Sequence, residues 1–225
     1  MTASEIKLDF QRQERIGFGE AALCAQKTVL QIEAILAEAE KQNTPFLLTR
    51  LSENQFRVLP DHQRKKLDYD PESQTAFFLH DPKTLMPPKI AVVTAGTSDS
   101  KVAREALRTL EFNGLAATRI FDVGVAGLWR LLERVEEIRK HPIIIAAAGM
   151  DAAMPSVLGG LVSGTLIAVP TSTGYGVALK GETAFAASLA SCAPGIVVCN
   201  IDNGYGAACA ALRIISAAKM MTGAS

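Results

Sequence analysis

The chain has 225 residues, 48% hydrophobic and 20% charged, the proportions of a protein with a packed core and not of a disordered one. Lys plus Arg and Asp plus Glu each total 23, so no net field draws it to nucleic acid or to an anionic membrane. Its longest apolar run, near Ile143–Ala148, falls far short of the roughly 20 residues of a membrane helix. The start, MTASEIKLDFQRQER, lacks the apolar segment of a signal peptide, so the expected compartment is the cytoplasm. Cys24, Cys192, Cys199 and Cys209 show no zinc-ligand spacing and are expected as free thiols.

Residues 1–86 read as a small α+β domain. GEAALCAQKTVLQIEAILAEAEKQ aligns Ala22, Ala25, Val29, Ile32, Leu36 and Ala39 on one face and predicts a helix. PFLLTRLSENQFRVL and SQTAFFLH predict two or three strands. DPKTLMPPK, with three prolines, predicts a linker.

Residues 87–225 have a regular rhythm. Strand-length apolar runs occur at 90–95, 118–123, 143–148, 165–169 and 195–201. Between and after them lie the helical patterns SKVAREALRTLEF, AGLWRLLERVEEIRK, AMPSVLGGLVSG, GETAFAASLAS and YGAACAALRIISAAKM. This alternation predicts an α/β domain with a doubly wound, flavodoxin-like five-stranded parallel sheet of order 2-1-3-4-5. A dinucleotide-binding Rossmann domain is disfavoured, because no GxGxxG follows the first strand.

The loops after the five strands are AGTSDS, DVGVAG, AAGMDAAMPS, PTSTGYG and NIDNGYG. A parallel sheet brings them to one rim, the edge where open α/β sheets bind ligands. Their glycines permit close backbone approach, and their hydroxyls and helix N-terminal N–H groups suit phosphate. The candidate binding residues are Gly96, Thr97, Ser98, Asp99, Asp122, Gly124, Gly149, Met150, Pro155 and Ser156, then Thr171, Ser172, Thr173, Gly174, Tyr175 and Gly176, then Asp202, Asn203 and Gly204. Ser98 and Asp99 equally suit a helix N-cap, and Asp202 equally suits a turn that bonds its own backbone. Lys180 is read as the one cation near this rim. From Ile143 onward only Asp151, Lys180, Glu182, Asp202, Arg213 and Lys219 are charged. Helices so poor in charge predict a homo-oligomer with the C-terminal helices in its interfaces.

GTSDS before an amphipathic helix, followed by AAGMDAAMPSVLGGL, resembles the aminoimidazole ribonucleotide carboxylases and their carboxy-mutase relatives. RIGFGEAALCAQKT, LLTRLS, DVGVAGLWRLL, VPTSTGYG, SCAPG and NIDNGYGA extend the resemblance over nearly the whole chain, to the LarB family of pyridinium carboxylase/hydrolases in nickel-pincer cofactor biosynthesis. The sequence departs from that family at Asp151, where Glu is usual, and at Lys180, which alters a double-glycine pattern. The Ser-Ala-His-Arg segment of the purine enzymes is replaced by DVGVAG, and His62, His80 and His141 all fall outside the rim loops.

The resemblance implies nicotinic acid adenine dinucleotide as substrate and CO2 or bicarbonate as co-substrate. It implies carboxylation of the pyridinium ring, release of AMP, and an octamer. It places the nucleophile at Cys192 in SCAPG, with the other cysteines as small core residues. Asp151 is either the base that removes the ring proton or the N-cap of the helix that follows. Anhydride hydrolysis implies Mg2+, with Asp202 and Asp122 as candidate carboxylates. Cys192 precedes the fifth strand, so a neighbouring subunit is expected to bring it to the ligand. The alternatives are an aminoimidazole ribonucleotide carboxylase or mutase and a non-catalytic nucleotide-binding regulator.

Overall fold

The computed structural model describes residues 6–80 and 85–223. They divide into two units, one formed by residues 6–80 with 216–223 and the other by residues 85–215.

In the first unit the elements run α1 (Arg12–Ile16), β1 (Ala21–Leu23), α2 (Val29–Lys41), β2 (Phe46–Thr49), α3 (Glu53–Val58), α4 (Asp61–Arg64), β3 (Leu67–Asp70) and β4 (Thr75–Phe78). The sheet order is β1-β2-β4-β3, with β1 parallel to β2 and the other pairs antiparallel. Ile32, Ile35, Leu36 and Ala39 of α2 pack on Phe46, Leu48, Ala76 and Phe78. The single helix expected over 19–42 is corrected here. Ala21–Leu23 pairs with Leu47–Thr49 as a strand, and α2 begins only after Thr28, in a capping box with Gln31. The strand reading of NQFRVL is also corrected. Ser52 and Gln55 form a second capping box, and α3 follows.

In the second unit the elements are β5 (Met86–Thr94), α5 (Ser100–Phe112), β6 (Leu115–Ile120), α6 (Leu128–Ile138), β7 (Ile143–Ala148), α7 (Ala153–Gly159), β8 (Thr165–Pro170), α8 (Glu182–Leu189), β9 (Val197–Val198) and the start of α9 (Gly204–Thr222), which from residue 216 counts with the first unit. Part of the expected linker, 81–84, lies outside the described residues. Met86 already pairs with Leu115, ahead of a bulge before Ile90. The order β6-β5-β7-β8-β9, parallel throughout, is the flavodoxin-like 2-1-3-4-5.

The strands are apolar on both faces because helices cover both. Ile90, Val92, Ile145 and Val169 pack under α5 and α9, while Ala91, Val93, Ile144 and Ala146 pack under α6, α7 and α8. Strand β6 ends earlier than expected because Asp122 turns left-handed, and β9 is shorter than expected. Helix α9 buries Ala207, Ala208 and Ala211, and Met220 and Met221 are exposed. Among the described residues no helix is long and apolar enough to cross a membrane.

Candidate functional site

The second unit has five non-glycine residues in the left-handed region, and all five lie in loops at the carboxyl rim. They are Asp122, Met150, Ala152, Lys180 and Asp202, with φ between 46° and 63°. Such backbone costs about 1–3 kcal/mol per residue where the surroundings impose it, and it concentrates at functional sites. The rim chosen from loop composition is therefore also where the second unit concentrates its left-handed residues, while Asn43, Arg50, Gln74 and Leu79 are left-handed in the first.

Asp99 joins three of these loops. Its Oδ2 accepts from Gly96 N at 2.8 Å and its Oδ1 from the Thr171 hydroxyl at 2.6 Å, Gly149 N–H also faces it, and the Thr173 hydroxyl beside it donates to Ser98 O at 3.4 Å. Burial pushes its carboxyl above the usual range, against the pull of those donors. Gly149 is tightly enclosed: a Cβ there would lie 2.3 Å from Thr173 O and 2.7 Å from Thr171 Oγ1. Met150 N donates to that same Thr173 carbonyl at 2.8 Å. Asp99 and Thr171 are buried and shape the rim, whereas Thr97, Ser98, Ser172, Tyr175 and Gly176 are exposed on it. Gly174 packs close to the Ala178 carbonyl.

Beside this hub, Asp122 N donates to Thr94 Oγ1 at 3.0 Å, and Gly124 abuts the Ala95 carbonyl. Arg130 Nη1 donates to Asp122 Oδ2 at 2.8 Å, bringing to the rim a guanidinium that sequence reading missed. Lys180 is thus not the rim's one cation. The missed signal was the spacing of eight residues from Asp122, a reach no local pattern announces.

The loop after β9 is largely accounted for by packing. Asp202 Oδ1 accepts from Ser172 N at 2.8 Å, and Asn203 Oδ1 accepts from Gly206 N at 2.8 Å. The anion position at the start of α9 is taken by Glu105, whose Oε2 accepts from Tyr205 N at 3.1 Å. Gly204 lies so close to α5 that a Cβ would sit 2.1 Å from the Val102 carbonyl. Gly204→Ala is accordingly expected to lower unfolding free energy by about 1–3 kcal/mol, as read by urea denaturation; unaltered stability would return Gly204 to the ligand-contact group.

Asp151 is exposed and makes no hydrogen bond among the described residues. The N-cap position before α7 belongs to Ala152, which supplies no side-chain cap. The capping reading of Asp151 therefore fails, and its carboxylate stands at the rim between two strained residues. Pro155 is buried, and the Ser156 hydroxyl meets Ser191 Oγ at 2.7 Å.

Cys192 is the exposed cysteine; Cys24 is buried, and Cys199 and Cys209 are partly so. Burial pushes Cys24 up to about 12 and raises Cys199 as well, which withholds both as thiolates. Cys192 sits between α8 and β9, at the amino end of the sheet, away from the strained rim of its own chain. His141 is buried beyond that same end, bonded to the Thr118 hydroxyl and the Glu137 carbonyl.

Among the described residues no three His, Cys, Asp or Glu side chains converge. Asp122 is paired with Arg130, and Asp202 holds Ser172 N–H.

Residues 89–224 match the AIR carboxylase family model, and residues 2–80 match that of the LarB/PurE-like N-terminal domain. Uncharacterized protein MJ0165 of Methanocaldococcus jannaschii is 35% identical over 213 residues, covering 90% of this chain and 80% of that protein. N5-carboxyaminoimidazole ribonucleotide mutase of the same organism is 36% identical over 132 residues, covering 56% of this chain and 78% of the mutase. A crystal structure of Treponema denticola PurE2 matches with a TM-score of 0.42 and 18% identity, covering 61% of this chain and 96% of that one.

Proposed function

We propose that this chain, which belongs to the AIR carboxylase family, carboxylates the pyridinium ring of nicotinic acid adenine dinucleotide and hydrolyses its phosphoanhydride, releasing AMP. The observation that carries this reading is the exposed Cys192 thiol, in a unit whose one histidine, His141, is buried away from the rim.

The chemistry requires a nucleophile because a pyridinium ring is electron-poor at its meta carbon. Addition of the Cys192 thiolate to the para carbon gives a neutral dihydropyridine, in which the free meta carbon ends an enamine. That carbon attacks CO2 and becomes tetrahedral, leaving an iminium ring. Asp151 takes the proton from the same carbon, which restores the enamine. Expulsion of the thiolate then regenerates the aromatic pyridinium, now bearing two carboxylates. The thiolate returns unchanged, and one proton has moved to Asp151.

Cys192 and Asp151 lie at opposite rims of one subunit, so the reading requires a homo-oligomer in which a second copy supplies the thiol. The exposed apolar residues Tyr175, Val177 and Leu179 at one rim, and Leu189 and Val197 beside Cys192, support such association. Dilution to monomers is expected to abolish carboxylation; a fully active monomer would refute the shared site.

A second reading, an aminoimidazole ribonucleotide carboxylase or mutase, is favoured by the similarity to the mutase over 132 residues. It lacks an imidazole at the rim to handle the carboxyl group. Incubation with the acid dinucleotide and bicarbonate, followed by mass spectrometry, separates the readings. AMP and a dicarboxylated pyridinium mononucleotide are expected. Turnover of the aminoimidazole substrate alone would establish the second reading, and binding without any product would indicate a nucleotide-binding regulator.

A further inference from the structure

We infer that Arg130 is the residue that selects an acidic pyridinium substrate over its neutral amide counterpart, by taking the ring carboxylate in place of Asp122. This rests on the proposed function and adds to it the group that decides specificity. The two dinucleotides differ only in carboxylate versus carboxamide, so discrimination between them calls for a cation held at the site. The cations at this rim include Lys101, Lys180 and Arg130, and Lys101 is exposed in the first turn of α5. Lys180 is exposed in the loop after β8. Arg130 is placed by three separate features of the fold.

First, Gly127 makes room for it. A Cβ at that position would fall 2.8 Å from Arg130 Nε and 3.1 Å from Nη2, so the guanidinium rests directly over Gly127. Second, the left-handed turn at Asp122, φ 60°, is pinned by Thr94 Oγ1 through the Asp122 N–H. The carboxylate is thereby presented to Arg130, on loop residues fixed by the backbone and not by the ion pair. Third, the loop runs against the first strand's exit. Gly124 would carry a Cβ 2.7 Å from the Ala95 carbonyl, immediately before Gly96 and the Asp99 hub. Arg130 thus follows a loop that runs beside the exit of β5, on the side of the edge strand β6. The strand order reverses between β5 and β7, whose following helices leave on opposite faces of the sheet, a geometry that opens a ligand crevice next to that exit.

The ion pair is a holding contact. Of the five N–H groups of a guanidinium, Nη1 alone bonds Asp122, and the two side chains are 33% and 45% exposed. A pair this exposed contributes little to stability, on the order of 0–1 kcal/mol. A planar carboxylate can engage the fork through two N–H groups at once. A carboxamide brings no charge to that exchange. Asp122 meanwhile opposes any incoming anion, so it sets how tightly the acid is held.

The test measures binding, by titration calorimetry on the intact protein, of nicotinic acid mononucleotide and nicotinamide mononucleotide to wild type, Arg130→Gln and Asp122→Asn. Wild type is expected to prefer the acid, and Arg130→Gln to lose that preference by about tenfold to a hundredfold, in line with one charge-assisted contact. The affinity of the amide should stay the same. Asp122→Asn keeps the cation, removes its competitor and should strengthen the preference, a gain that loss of a merely structural ion pair would not produce. An acid preference undiminished in Arg130→Gln overturns the assignment while leaving the proposed reaction standing. A preference that falls in Asp122→Asn overturns the exchange. Failure of wild type to bind either mononucleotide refutes the pyridinium reading itself, and this inference with it.

Discussion

Cys192→Ala is expected to reduce carboxylation of the acid dinucleotide by at least about 1000-fold, which is roughly 4 kcal/mol of transition-state stabilisation. Without the sulfur the meta carbon never becomes an enamine, and no other exposed cysteine replaces that step. The side chain is exposed, so the variant's unfolding free energy should stay within about 0.5 kcal/mol of wild type. Single-turnover assays with labelled bicarbonate, together with urea denaturation, separate the two effects. The Cys24→Ala variant provides the contrast. That thiol is buried, bonds the Ala22 carbonyl and is pushed up to about 12, so its removal should affect packing and leave the chemistry intact. Wild-type carboxylation by Cys192→Ala would end the covalent scheme.

The dependence on Cys192 is also a statement about assembly. A thiol at the amino end of the sheet and a carboxylate at the carboxyl end cannot meet within one copy. If wild-type protein is inactive when dilute, a mixture of Cys192→Ala and Asp151→Ala chains should recover part of the activity, because some shared sites then receive one intact residue from each chain. Two inactive variants that never complement would place both groups in one copy's site, against this arrangement of the rims.

Much of the fold was legible because its strongest signals are local. IIIAAA reads as a strand buried on both faces and is one, residue for residue, as β7. SKVAREALRTLEF carries a clear 3.6-residue period and forms α5 over the same span. The errors fell where tertiary pairing overrides local preference. Ala21–Leu23 has the composition of a helix, yet its partners Leu47–Thr49 draw it into a sheet. The Ser52–Gln55 capping box was readable and was passed over among apolar residues that suggested a strand. At the site, loop composition located the rim, but not which side chains turn outward. Asp99 and Thr171 look like ligand groups in sequence and instead bond one another inside, 72 positions apart. Glu105 sits in a helical run and caps another helix 100 positions away. Such roles depend on contacts between distant segments, which no periodicity encodes.

Asp99→Ala is expected to cost about 3 kcal/mol of stability, and most activity with it. The loss leaves the N–H groups of Gly96 and Gly149 and the buried hydroxyl of Thr171 without their shared acceptor. Asp99→Asn retains the shape but offers one acceptor oxygen instead of two, and should cost about 1–2 kcal/mol. The pH dependence distinguishes this buried hub from an ordinary exposed ligand. Because burial raises the Asp99 pKa in the fold, the folded chain holds the proton more tightly than the unfolded chain does. Its contribution therefore grows as pH falls from above the raised value toward the ordinary 3.8, and is least at neutral pH. Asparagine does not titrate, so urea denaturation across that window should show wild type gaining on Asp99→Asn as the solution is acidified. A gap that closes on acidification would mean that the carboxylate is stabilised as an anion. The hydrogen bonds from the three loops would then outweigh the desolvation, and Asp99 would serve the rim by its charge instead of despite it.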